Sequence, residues 1–167
     1  MKTILWLVIG VIGLALANRF ALAEEPKQGG LQVEIHMFSG RPDPIFTITD
    51  PILVSEIMAS VSNLPSHPSL KPEDTVFPNK SGFVGFTVKN ASAVHSEIQS
   101  FDVDRADIAL SHAPSREGGK PERTMHQAFD NSIVLKLLDL SLDAKVISRE
   151  EWAAMRASRM PGQQISR

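Results

Sequence analysis

Between Leu31 and Thr49 the sequence alternates, breaks and alternates again. Val33, Ile35 and Met37 interleave with Gln32, Glu34 and His36; beyond the break, Ile45, Thr47 and Thr49 fall on one side and Phe46 and Ile48 on the other. A strand sends successive side chains to opposite faces, so a period of two reads as two half-buried strands. The break is Ser39 to Pro44, SGRPDP, which joins them as a hairpin. Gly40 is free to take positive φ, Pro42 and Pro44 fix their own φ, and each proline pushes the residue before it, Arg41 and Asp43, towards extended backbone. Pro44 has no N–H, so the ordinary turn bond from Arg41 to Pro44 cannot form. The turn is therefore stiff. Its polar groups must find partners in each other, in nearby backbone or in something bound.

Downstream, Asp50-Pro51 starts a helix, with an acid to cap the free N–H groups and a proline where no donor is needed. Ile52, Ile57, Met58 and Val61 recur at helical spacing as far as Asn63. Residues 64–80 carry prolines at 65, 68, 72 and 78 and read as a long surface loop. Phe83 to Lys89 alternates with Phe on both faces, the pattern of a central strand. Residues 92–111 hold Val94, Ile98, Phe101, Val103, Ile108 and Leu110 at no clean period, read as one or two strands, and residues 112–124 collect breakers and charges, read as a loop. After Asp130, a plausible cap, Ile133, Val134, Leu137, Leu138 and Leu140 form a helical face. Ser148 and Glu151 make a capping box ahead of Trp152, Met155 and Met160. The class this predicts is α+β: a small antiparallel sheet of about four strands, in the order strand-strand-helix-strand-strand-helix-helix, with the helices packed on one face.

The N-terminus reads as a secretory signal. Met1 and Lys2 precede an apolar run from Ile4 to Ala17, and Ala21-Leu22-Ala23 offers small residues at the positions a signal peptidase reads. A second such site is Ala15-Leu16-Ala17. The expected organisation is a signal over residues 1–23, a flexible leader over 24–30, one domain over 31–160 and a tail over 161–167, in a periplasmic or secreted protein. An uncleaved anchor is the competing reading, although the uninterrupted apolar stretch ends at Asn18-Arg19. Membrane contact is expected only in that case. Losing Lys2 and Arg19 with the signal turns 17 basic against 19 acidic residues into 15 against 19, so the net charge moves from −2 to −4. There is no basic run to neutralise phosphates, and nucleic acid is not an expected partner. The absence of cysteine excludes disulfides, thiolate metal sites and a cysteine nucleophile.

Motifs for chemistry are sparse. Five histidines, at 36, 67, 95, 112 and 126, show no metal-ligand spacing; Glu34 and His36 share a strand face, but two ligands from one strand are half a site. No metal and no cofactor are expected, and the histidines read as solvent-facing. Asp102, Asp104 and Asp107 lack the glycine and closing glutamate of a calcium loop. Gly118-Gly119-Lys120 lacks the rest of a phosphate loop, and there is no GxSxG elbow. Asn79-Lys-Ser81 and Asn90-Ala-Ser92 match the glycan-acceptor pattern.

SGRPDP is the distinctive element. Phe38 to Pro44 followed by a strand, a helix and a Gly-Phe-x-Gly-Phe strand, Gly82 to Phe86, resembles a group of small bacterial proteins of unknown function that share the hexapeptide SGRP, Asn or Asp, then Pro. The resemblance covers about a third of the chain and implies a shared α+β domain without an activity. A stiff turn presenting a guanidinium suits bidentate recognition of a carboxylate or phosphate. The expected function is a non-enzymatic binding module using Ser39, Arg41 and Asp43, its partner a small anionic ligand or an envelope protein. Three alternatives compete with it. Arg41 can instead tie the hairpin to the C-terminal helices through Asp130; the chain can be a small hydrolase pairing His36 with Glu34 or Asp43; or it can be an envelope structural protein held by residues 4–23.

Overall fold

The computed structural model describes residues 29–38, 42–67, 69–71, 82–115, 119 and 121–159. Strands β1 (Leu31–Phe38) and β2 (Ile45–Ile48) pair antiparallel, Val33 opposite Phe46 and Glu34 opposite Ile45, as the alternation requires. Gly29 and Gly30, the last residues of the expected leader, already pack against the domain. A Cβ on Gly30 would sit 2.4 Å from the Ile48 carbonyl oxygen and one on Gly29 2.5 Å from that of Ala91, closer than any side chain tolerates. Helix α1 (Pro51–Ser62) starts where Asp50 accepts from the N–H groups of Ile52 and Leu53 at 2.8 and 3.3 Å. Its buried stripe is Val54, Ile57, Met58 and Val61, a clean i, i+3, i+4, i+7 set. Ile57, Met58 and Val61 are buried as their spacing predicts, whereas Ile52 points out and is 68% exposed, and Val54 completes the stripe in its place.

The sheet has six strands, not about four: β3 (Gly82–Asn90), β4 (Ile98–Asp104), β5 (Asp107–His112) and β6 (Glu122–Gln127) follow as a meander. The spatial order is β2-β1-β3-β4-β5-β6, antiparallel throughout. Residues 92–111 supply two strands, the second running on to His112. The stretch read as a loop over 112–124 contains the start of β6, which escaped notice because its sequence, ERTMHQ, has one apolar residue. Part of the proline-rich loop is also recruited to the sheet. The Gln127 N–H donates to the Pro65 carbonyl and the His67 N–H to that of Met125, so residues 65–67 cover the outer edge of β6.

The three helices among the described residues lie on one face. Leu31, Val33 and Ile35, with Phe86, Val88, Phe101, Val103, Ile108 and Leu110, form one cluster with α1, α2 (Ser132–Asp143) and α3 (Arg149–Arg159). In α2 the buried set is Ile133, Val134, Leu137, Leu138 and Ser141, the serine satisfied by donating to the Leu137 carbonyl at 2.6 Å. The capping box of α3 forms as expected: the Ser148 N–H donates to Glu151 and the Glu151 N–H to Ser148 Oγ. Its last residue, Arg159, is buried, only 4% exposed. It pairs with Asp104, donates to the carbonyls of Phe83 and Val84, and lies 4.7 Å from the Phe83 ring. Burial lowers its affinity for a proton, and Asp104 opposes that. Among the described residues no helix is long and apolar enough to cross a membrane.

Candidate functional site

Among the described residues, no helix lies on the other face of the sheet. Register places Ile45, Glu34, Thr87, Asp102, Ala109 and Met125 in one row across all six strands. At the β5–β6 end this row is apolar, and Leu70 packs on Ala109 and Met125. Towards β1 it is polar and uncovered by helix, and there the SGRPDP turn returns to the sheet.

Asp43 carries that return. One of its carboxylate oxygens accepts the Met37 N–H at 2.9 Å and the other meets His36 Nδ1 at 3.0 Å. This is the arrangement expected of a turn that cannot make its own backbone bond. The cross-strand partner of His36 is Gly85, which has no side chain to block the imidazole, and Nε2 reaches diagonally to Thr87 Oγ1 at 2.8 Å. Thr87 donates to Asp102 Oδ1 at 2.6 Å, and Arg123 Nη2 donates to Asp102 Oδ2 at 3.2 Å. One hydrogen-bonded chain thus runs Asp43–His36–Thr87–Asp102–Arg123, from the turn through β1, β3 and β4 to β6. Glu34 stands beside its first two members; a carboxylate oxygen of Glu34, a ring nitrogen of His36 and an oxygen of Asp43 all lie within 4.8 Å of one another.

The sequence had singled out Ser39, Arg41 and Asp43. Asp43 is in this site; Ser39 and Arg41 lie outside the described residues, as do the segments read as signal and tail. Asp130, the acid proposed to clasp Arg41, is exposed, and its carboxylate accepts the Ser132 N–H at 2.8 Å. The half-site seen in Glu34 and His36 gains its third donor from the loop. Thr87, Asp102 and Arg123 were missed. Thr87 and Asp102 are polar residues at the period-two positions between buried ones, which is the pattern that would have flagged them; Arg123 lies in the unrecognised β6.

The remaining histidines lie outside this site; each is half-buried with a hydrogen-bond partner, His95 being the most open, its side chain 37% exposed. His67 accepts from the N–H groups of Ser69 and Leu70 and meets Asp107; His95 pairs with Glu97; His112 and His126 both reach Thr124. Asp102, Asp104 and Asp107 turn to three different bases, Arg123, Arg159 and His67. Asn90 is a poor glycan acceptor, because its amide donates to the carbonyls of Val94, His95 and Ile98 while its oxygen accepts from Ser92. Asn79 is outside the described residues.

Compared with family models, curated proteins and solved structures, the chain matches none. The chemistry of the site has to be read from its own atoms. Asp43, His36 and Thr87 have the spacing of an acid–base–hydroxyl relay, the geometry a hydrolase would need. Two features oppose that use. The single hydroxyl proton of Thr87 goes to Asp102, and Thr87 sits in mid-strand, paired on one side with Glu34 and on the other with Asp102. Ladder bonds there consume the backbone N–H groups an oxyanion hole would be made from. What the geometry offers is a fixed polar surface.

Proposed function

We propose that this chain is an exported, non-enzymatic binding domain whose ligand surface is the SGRPDP turn together with the open sheet face at its base. The observation that carries the reading is the double attachment of Asp43, which fastens the turn to a hydrogen-bonded polar row that no described helix covers. Rigid loops backed by a sheet lose little entropy on binding. Export follows from residues 1–23 and is checked by the mass of the purified product, which should correspond to a chain beginning near Glu24. Arg41 is the group in the turn for an anionic ligand. The described base of the turn carries the opposite charge, with Glu34, Asp43 and Asp102 against His36 and Arg123, and so favours a cation beside it.

The test is a pair of measurements on the full chain. Amide resonances are followed while phosphate, succinate and divalent cations are added one at a time, and turnover of nitrophenyl esters is assayed in parallel. The reading expects shifts confined to residues 34–45 and 85–89, and no turnover. Hydrolysis that disappears in His36→Ala would replace it with the hydrolase alternative. Shifts confined to the apolar cleft of about 330 Å³ between Met37, Phe83, Ala154 and Met155 would move the ligand to the other face.

A further inference from the structure

The hydrogen bonds across the open face fix an order of donors and acceptors that ends at the base of the turn. Arg123 is a permanent cation and donor, and Asp102 between it and a hydroxyl is a carboxylate with no proton to give. Thr87 therefore spends its one proton on Asp102. Its contact with His36 Nε2 at 2.8 Å must then run from the ring, Nε2–H donating to Thr87 Oγ1. A neutral imidazole protonated at Nε2 carries a lone pair on Nδ1, and 3.0 Å from Nδ1 stands an oxygen of Asp43, whose other oxygen already takes the Met37 N–H. Two electron pairs face each other. A cation placed between them, a second proton on the ring or a metal ion, satisfies both.

Resting on the binding reading, and narrowing it to one ligand class, we propose that Glu34, His36 Nδ1 and Asp43 hold a divalent first-row transition-metal ion at the base of the turn. An imidazole with two carboxylates is a donor set such ions accept. Metal–ligand bonds of about 2.1 Å at right angles set neighbouring donors about 3 Å apart, which is the separation of His36 Nδ1 from Asp43. The outer contacts are those a metal-bound histidine needs. Nε2–H is held by Thr87, which is held by Asp102, which is held by Arg123, so ring orientation and tautomer are fixed before the ion arrives. His36 and Asp43 side chains are 21% and 29% exposed, open enough for the ion to exchange and to keep positions for an outside anion. Proline on both sides of Asp43 holds the third ligand in place.

The experiment is calorimetric titration of the metal-free full chain with zinc sulfate and with manganese chloride, alongside thermal melts and the 15N spectrum of the histidine rings. One ion per chain is expected, with a rise in melting temperature in excess metal. Asp43 also holds the Met37 N–H, so Glu34→Gln is the variant that changes a ligand without touching the fold; it should weaken binding at least tenfold. Thr87→Val should weaken it by about ten- to a hundredfold by freeing the ring, with its far-ultraviolet dichroism unchanged. Absence of stoichiometric binding, or equal binding by Glu34→Gln, overturns the proposal. So does a His36 ring doubly protonated at pH 7 and indifferent to zinc, which would make the cation a proton. If zinc is silent while succinate or phosphate still shifts the open-face amides, the metal falls and the binding reading stands; if all are silent, both fall.

Discussion

Phe86 and Thr87 are neighbours in β3 and live in different physics. Phe86 faces the helices, is fully buried and sits edge-on to Phe83 with ring centres 5.3 Å apart. Thr87 faces away from them and is held by two directional contacts, to His36 and Asp102. The apolar side is stabilised by area removed from water, which asks only that the residues be apolar and about the right size. On the polar side each group matters through a particular partner, and because water reaches this face a lost bond costs about what the bond contributed. One face tolerates variation in kind; the other tolerates almost none.

The sharpest break of this comparison is a pair of variants one residue apart. Phe86→Ala should cost about 3 to 5 kcal/mol by transfer and cavity terms, read from the denaturant midpoint. Thr87→Val should cost about 1 kcal/mol, leaving Asp102 and His36 each one partner short on a face that water reaches. Equal losses would mean that the open face folds as cooperatively as the core.

Arg159 is the exception that sharpens the rule, a charge buried beneath the helix layer. Arg159→Met should cost about 3 kcal/mol, because Asp104 and the carbonyls of Phe83 and Val84 lose their donor together. The double variant Arg159→Met, Asp104→Leu should recover part of that loss, since a carboxylate that has lost its guanidinium is replaced by an apolar side chain. Failure of the double variant to improve on the single one would show that Arg159 acts through its stem packing on Phe83 alone.

The two faces also differ in how far they could be read from the sequence. Val33 and Ile35, Val84 to Val88, and Leu137 with Leu138 announce the helix-covered face because burial writes a period into each segment by itself. Where such a period is weak, the reading failed locally: Ile52 was taken for Val54, and β6 was lost because Met125 is its one apolar residue. On the open face each segment shows only that a polar residue alternates with buried ones, not which residue it meets. His36 and Thr87 are 51 residues apart and meet only because register sets β1 against β3, and Arg123 joins from a strand that was not recognised. The turn was legible because proline and glycine constrain φ on their own. Asp43 could thus be named as a group in need of a partner, while the partner itself depended on pairing that no segment encodes alone.

The smallest expected effect is at Asp130, on neither face. Its carboxyl is held below the ordinary aspartate range, chiefly by hydrogen bonding to the Ser132 side chain and then by the Ser132 N–H at the start of α2. A carboxyl whose proton affinity falls on folding binds fewer protons in the native state than in the unfolded one. Its contribution is therefore present in full at neutral pH and drains away as the pH falls below about 4. Asp130 is exposed, so solvent screening keeps that contribution to about 0.5 kcal/mol or less, which is a melting shift of about 2 °C or less at this chain length. Asp130→Asn keeps an oxygen for the Ser132 N–H and removes only the charge. Wild type and variant should therefore differ slightly at pH 7 and converge as the pH falls below the ordinary aspartate range. A loss several times larger at pH 7 would mean that Asp130 is buried against a cation in the folded chain. That is the behaviour of a clasp to Arg41, and it would draw the turn towards the helices and away from the polar face on which the binding reading depends.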